Sequence, residues 1–118
     1  MHTCDKEAAP LLQQEICRTE TAHALEPVRL IVGDRWKVSI LQQLMDGPQR
    51  LLDLKQHIRY VSHRVLVEEL AELEQIGVLT KNSFSRRAPL DAEYALTEKG
   101  RGLQSVFDSM LQWSRAYL

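Results

Sequence analysis

With 118 residues, 44% of them apolar and 26% charged, the chain has room for one globular domain around a single core. A net charge of −1 excludes a uniformly basic nucleic-acid binder, and two cysteines exclude a disulfide scaffold. No apolar run approaches the ~20 residues that span a bilayer, and the polar, acidic N-terminus lacks the order of a secretory signal, so a cytoplasmic protein with no membrane partner is expected.

Residues 1–21 are polar, lack caps and strong periodicity, and carry Pro10, so a mobile N-terminal arm is expected there, with at most a helical turn over 11–17. Residues 22–118 form the domain. Its first helix is expected over 24–32, carrying Leu25, Val28, Ile31 and Val32, with Pro27 tolerable only in the first turn. Gly33 ends it and Asp34 suits the cap of the next helix, 35–46, which places Trp36, Ile40, Leu41 and Leu44 at core spacing before Gly47-Pro48 closes it.

The chain is organised around residues 47–77. Leu51, Leu54 and Ile58 share one face of a short helix, and Arg59-Tyr60 interrupts it. Ser62 can then cap a longer helix whose apolar stripe is Val65, Leu66, Leu70, Leu73 and Ile76, with Gly77 as its stop. This is a helix-turn-helix pattern, although any helical hairpin would show the same periodicity. The β-formers of 78–84, the turn residues and arginines of 85–90, and the second strand pattern of 92–96 then add a β-hairpin wing. The expected fold is mainly α with a small β-hairpin wing, a winged helix-turn-helix. In such a fold the second helix can lie in the major groove while the wing follows the phosphates.

Charge distribution agrees with that arrangement. Between Gly47 and Arg87 there are seven basic residues and five acids, against three and six in the first 34 residues and three and four from residue 88 onward. Four of the central acids, Glu68, Glu69, Glu72 and Glu74, fall in the later turns of the second helix, so positive charge gathers at its entrance and at the wing.

Thr97 is placed to cap a long terminal helix. Along it Leu103, Val106, Met110, Trp113 and Tyr117 recur at a near-heptad spacing, more apolar surface than one core-facing stripe needs. That surplus predicts a homodimer, which suits DNA binding because two reading helices about 34 Å apart meet successive major grooves.

From about Ala22 to its end the chain resembles the HxlR family of bacterial winged-helix regulators, relatives of the MarR group. The resemblance rests on IVGDRWKVSILQQLMDGPQR, on LLDLKQHIRYVSHRVLVEELAELEQIGVL, on the wing ending in PLDAEYALTEKG, and on FDSMLQW in the closing helix. It implies a dimeric cytoplasmic transcription factor paired through its first and last helices, which would place Leu25 and Val28 at the dimer interface. It also implies that some members sense electrophiles or oxidants through a cysteine near the first helix. Three departures stand out. The Cys-Pro frequent before the first helix is absent, Ala22, His23 and Ala24 standing in that region with Cys17 several residues upstream. The basic residue frequent after the wing proline is replaced by Leu90-Asp91, and the aromatic after the arginine of GPQR is Leu51.

The expected DNA contacts divide into two kinds. Ser62, His63 and Arg64 open the second helix, Arg64 being suited to the paired acceptors of guanine, and Val67 one turn later could meet a thymine methyl. Lys81, Arg86 and Arg87 on the wing, with Arg50 and Lys55 on the first helix of the motif, suit phosphates; Arg59 at the turn suits an ion pair with a nearby acid. Trp36 and Trp113 read as core or dimer-seam residues.

No phosphate loop, nucleophile elbow or Cys-His pair with an orienting partner is present, so no enzyme is expected. His57 and His63 have no further ligand at metal spacing, and no metal or cofactor is expected. Cys17 is a redox candidate because Arg18 beside it favours the thiolate, with Cys4 as the alternative, yet a thiol on an arm can also be incidental. The function expected is a sequence-specific transcriptional regulator, a repressor, binding a roughly palindromic operator in double-stranded DNA and open to an oxidant or electrophile as effector. The alternative is a winged-helix protein-interaction module, favoured by the slight negative charge.

Overall fold

The computed structural model describes residues 11–82 and 92–118, with residues 11–19 described by backbone alone. The chain divides into two units, the boundary falling between Asp34 and Arg35. The first contains helix α1 (Leu11–Val32), which runs 22 residues with Pro27 well inside it. This corrects the expected start at residue 24. A proline interior to a helix forfeits a backbone bond and costs roughly 3 kcal/mol. Here the good helix formers before it, among them Leu11, Leu12, Gln13, Gln14, Ala22 and Leu25, carry the helix across the defect. Gly33 stops it, its amide donating to the Arg29 carbonyl at 2.8 Å.

The second unit opens with α2 (Arg35–Leu44), then β1 (Gln49–Arg50), α3 (Leu51–His57), α4 (His63–Ile76), β2 (Leu79–Asn82), β3 (Glu93–Leu96), α5 (Glu98–Arg101) and α6 (Leu103–Tyr117). Its centre is fully buried: Ile40, Leu41 and Leu44 of α2, Leu54 of α3, and Leu66, Leu70 and Leu73 of α4, joined by Val61, Val78 and Leu79. Truncating any of these leucines to alanine would cost about 2–5 kcal/mol.

The wing strands pair antiparallel, with Leu79 opposite Leu96 and Lys81 opposite Tyr94. The sequence pattern missed β1, which adds to the other side of β3 with Gln49 opposite Tyr94, so the sheet order is β1-β3-β2. Two residues are too few to show a period of two.

Two short contacts set the far end of α4. Gly77 has φ of 93° and ψ of 14°, a left-handed stop that a side chain would strain. The Thr97 hydroxyl donates to the Gly77 carbonyl at 2.7 Å and accepts from the Gly100 amide at 3.1 Å. Thr97 is therefore a cap, as expected, but the helix it starts has only four residues. Gly100 passes so close to the residue before β2 that an added Cβ would lie 2.0 Å from the Val78 carbonyl oxygen. With Gly102 two positions on, the helix has its weakest formers there and is interrupted before α6.

Candidate nucleic-acid interface

The motif is held at its turn. Ser62 is extended (φ −75°, ψ 157°), and its hydroxyl accepts from the Val65 amide at 3.1 Å, fixing where α4 begins. The Lys55 ammonium donates to the Val61 carbonyl across the same turn. Lys55 thus braces the motif from within, a use the sequence did not indicate. Tyr60, between them, has φ of 69° and is the one non-glycine residue with positive φ among those described.

That bracing presents the first turn of α4 to solvent. His63 and Arg64 are exposed, and Val67 is 39% exposed on the same side. The Arg64 Nε donates to Glu68 Oε1 at 3.0 Å, which holds the guanidinium along the helix while leaving its terminal amino groups outside that bond. Arg50 precedes α3, its amide donating to Asp53 Oδ2 at 3.2 Å, and Lys81 is exposed on β2. Arg86 and Arg87 lie outside the described residues.

Three of the four acids of α4 have a cationic partner. Glu68 pairs with Arg64, while Glu69 and Glu72 both accept from Lys37, whose ammonium is buried beneath α4. Lys37 was missed from the sequence. Its signal is positional, because it occupies the stripe that Ile40, Leu41 and Leu44 continue. Lys37 and Arg64 thus offset two of the four carboxylate charges on α4, the four that argued against DNA binding.

Trp36 is half-buried, not a core residue, and the Arg35 guanidinium lies 4.7 Å from its ring centroid. Arg59, expected to pair with an acid, forms no ion pair among the described residues. The proposed dimer residues fall on two surfaces. On α6, Met110 is 46%, Trp113 58% and Tyr117 74% exposed, with Val106 at 36% and Leu103 half-buried; on α1, Leu25 is exposed and Val28 half-buried. Cys17 lies within α1, and Cys4 outside the described residues.

A family model described as HxlR-like helix-turn-helix matches residues 31–118. The chain belongs to this family. Among curated relatives, the HTH-type transcriptional regulator YodB of Bacillus subtilis (strain 168) is 37% identical over 90 residues, 76% of this chain and 80% of YodB. The uncharacterized HTH-type transcriptional regulator YkvN of the same organism is 32% identical over 92 residues, 78% of this chain and 77% of YkvN. The quinone-bound crystal structure of B. subtilis YodB gives a TM-score of 0.70 at 34% identity, covering 80% of this chain and 98% of that one. The redox regulator HypR in its reduced form gives a TM-score of 0.70 at 27% identity, covering 79% and 91%. These relatives are regulators and not enzymes, and they favour the DNA-binding reading of the family's helix-turn-helix over an interaction module. No helix among the described residues is long and apolar enough to cross a membrane.

Proposed function

We propose that this protein is a cytoplasmic, sequence-specific transcriptional repressor that binds a roughly palindromic operator as a homodimer. The observation that carries the reading is the capped, solvent-facing start of α4, where His63, Arg64 and Val67 stand clear while Lys37 and Arg64 pair with three of the four acids of the helix. Arg64 and its neighbours read base edges; Lys81, Arg50 and the wing arginines Arg86 and Arg87 hold phosphates. Met110, Trp113 and Tyr117 of α6, with Leu25 and Val28 of α1, are the proposed dimer surfaces.

The deciding experiment is selection of bound fragments from the source genome, followed by titration of the recovered operator and an unrelated duplex at several salt concentrations. Arg64→Ala should cost about 1–3 kcal/mol on the operator and relax one base position per half-site. Equal affinity of the wild type for both duplexes, or unchanged operator affinity in Arg64→Ala, would refute the reading.

Signal input has a specific support. YodB has been crystallised reduced, diamide-treated and quinone-bound, and HypR reduced and oxidised. By that likeness we infer that this regulator answers oxidants or electrophiles, with Cys17 of α1 as the responding thiol.

A further inference from the structure

A cleft of about 400 Å³ opens between α2 and the turn joining α3 to α4. Arg35, Trp36 and Gln42 line one side, and His57, Arg59 and Tyr60 line the other. No carboxylate lines it among the described residues, and neither guanidinium is ion-paired there. The Trp36 ring supports the Arg35 guanidinium at 4.7 Å, an attraction that limits its motion without using its N–H donors. His57 Nδ1–H donates to the Asp53 carbonyl at 2.7 Å, which leaves its other ring nitrogen outside that bond. Tyr60 is 91% exposed on a left-handed residue of the turn.

Two guanidinium groups, an imidazole, a phenol and an amide are the kinds of group that hold phosphate oxygens. Their place in the fold says whose phosphate. Arg59 and Tyr60 come two and three residues before the Ser62 cap, Tyr60 the nearer, at the end of α4 that enters the groove first. Residues just outside that end stand at the groove rim, where the sugar-phosphate strand runs. A small-molecule site encloses most of its ligand, whereas Arg35, Gln42, His57, Arg59 and Tyr60 are all exposed. The cleft suits a ligand that passes through it.

We propose that this cleft is a second DNA-backbone site, in which Arg35 and Arg59 neutralise phosphodiester groups flanking the major groove and Tyr60 donates a neutral hydrogen bond. It rests on the reading that α4 reads DNA, and it adds three residues to the wing and to Arg50 as phosphate-binding groups. Its contribution is register and sequence-independent affinity.

The test uses the full-length protein, the selected operator and an unrelated duplex of equal length, with affinity measured across a salt series. Arg35→Ala with Arg59→Ala should weaken both duplexes by the same factor and make the slope of log affinity against log salt shallower by about two per subunit, about four for a bound dimer, one for each phosphate no longer neutralised. Arg59→Ala alone, an exposed change that leaves Trp36 and its cation in place, should remove about one unit of slope per subunit, about two for a bound dimer. Tyr60→Phe should lower affinity with the slope unchanged, and Arg35→Lys with Arg59→Lys should retain most of the slope. A folded Arg59→Ala protein with wild-type slope and affinity overturns the proposal while leaving the DNA reading intact. A change in operator preference without a change in slope also overturns it, because the cleft would then be reading sequence. A wild-type protein that binds no duplex removes both.

Discussion

Lys37 Nζ lies 2.6 Å from Glu69 Oε2, joining the first turn of α2 to the middle of α4 with side chains only 7% and 14% exposed. Glu72, one turn further, accepts from the same ammonium but is 59% exposed. The lysine is therefore a fixed point between the helix that anchors the core and the helix that presents Arg64. Removing one member of a buried pair strands the other charge, which typically costs about 3–5 kcal/mol. Lys37→Ala should fall near the lower end of that range in urea unfolding, since Glu72 can turn to water. Glu72→Ala should cost roughly 1 kcal/mol or less. Lys37→Met with Glu69→Leu should recover much of the Lys37→Ala loss by filling the site with apolar volume. Equal costs for Lys37→Ala and Glu72→Ala would show that the buried arm of the network carries no special weight.

Tyr60 offers a case in which stability and binding should move in opposite directions. Its φ of 69° is a region that side chains enter at roughly 1–2 kcal/mol and glycine enters freely. The ring is 91% exposed, so little packing is lost with it. Tyr60→Gly should raise unfolding stability by roughly 0.5–1 kcal/mol after allowance for the added freedom of the unfolded chain. DNA affinity should fall at the same time. Strain retained at an exposed position is a sign of function when relieving it weakens binding. A destabilised Tyr60→Gly protein would show instead that the ring packs in solution.

The alkaline limit of stability should trace to Tyr94. Burial in β3, and then the nearby Glu74 carboxylate, raise its phenol above the ordinary value of 10.0. A group with a raised folded pKa favours the fold in its protonated form. Its contribution is complete below the unfolded pKa and is lost as pH rises through the folded one. Thermal unfolding followed from neutral pH upward should show Tm falling above about pH 10, with a smaller fall in Tyr94→Phe. Parallel declines in the two proteins would place the alkaline limit elsewhere.

These three residues show what a linear pattern does and does not carry. Ser62 and Gly77 bracket α4 by local chemistry, a hydroxyl for a free amide and a left-handed stop, so its limits were legible. So were the two strands of the wing, Leu79–Asn82 directly after the helix stop and Glu93–Leu96 in a second strand-like run. The start of α1 was not, because Pro27 is a strong local signal that the preceding helix formers outweigh only in sum. Lys37 was illegible for another reason: its partners stand 32 and 35 residues away, and no spacing rule connects them. Likewise, the cleft requires α2 to pack beside a turn whose backbone conformation the letters Arg-Tyr do not announce.

The proposed dimer rests on an exposed face. Met110 and Trp113 line one shallow apolar cleft with Ser109 and Ser114, and the Trp113 and Tyr117 rings lie 5.7 Å apart along the helix, tilted by 36°. An α6 interface would bury these surfaces, and a carboxylate placed among them would have to be desolvated without a partner. Met110→Asp should therefore weaken dimerisation by at least tenfold in sedimentation while leaving the monomer folded, since Met110 is outside the core. Operator binding should fall in proportion, as a single half-site lacks the paired geometry. A wild-type protein that sediments as a monomer at micromolar concentration would remove the dimer.

Cys17 of α1 is the proposed input for oxidants and electrophiles. A responding thiol must reach its thiolate form, and Arg18 follows Cys17 directly in the sequence, a basic neighbour of the kind that favours that charge. Diamide takes two electrons and two protons from a pair of thiols, becoming the hydrazine as the disulfide forms. Cys17 and its counterpart in a second subunit are the simplest pair, with Cys4 as the alternative resolving thiol. Such a bridge would fix the separation of the two first helices, and a shift of a few ångströms in the reading helices would misplace their base contacts, which lie one turn of duplex apart. Cys17→Ser should bind the operator as tightly as the reduced wild type and keep that affinity after diamide. The wild type should change affinity with oxidant and recover on reduction, and Cys4→Ser should retain at least the first oxidation step. Operator titrations of the three proteins, reduced, oxidised and re-reduced, separate the cases. Identical affinity of the wild type in all three states would make Cys17 an incidental thiol and send the search for the effector to another part of the molecule.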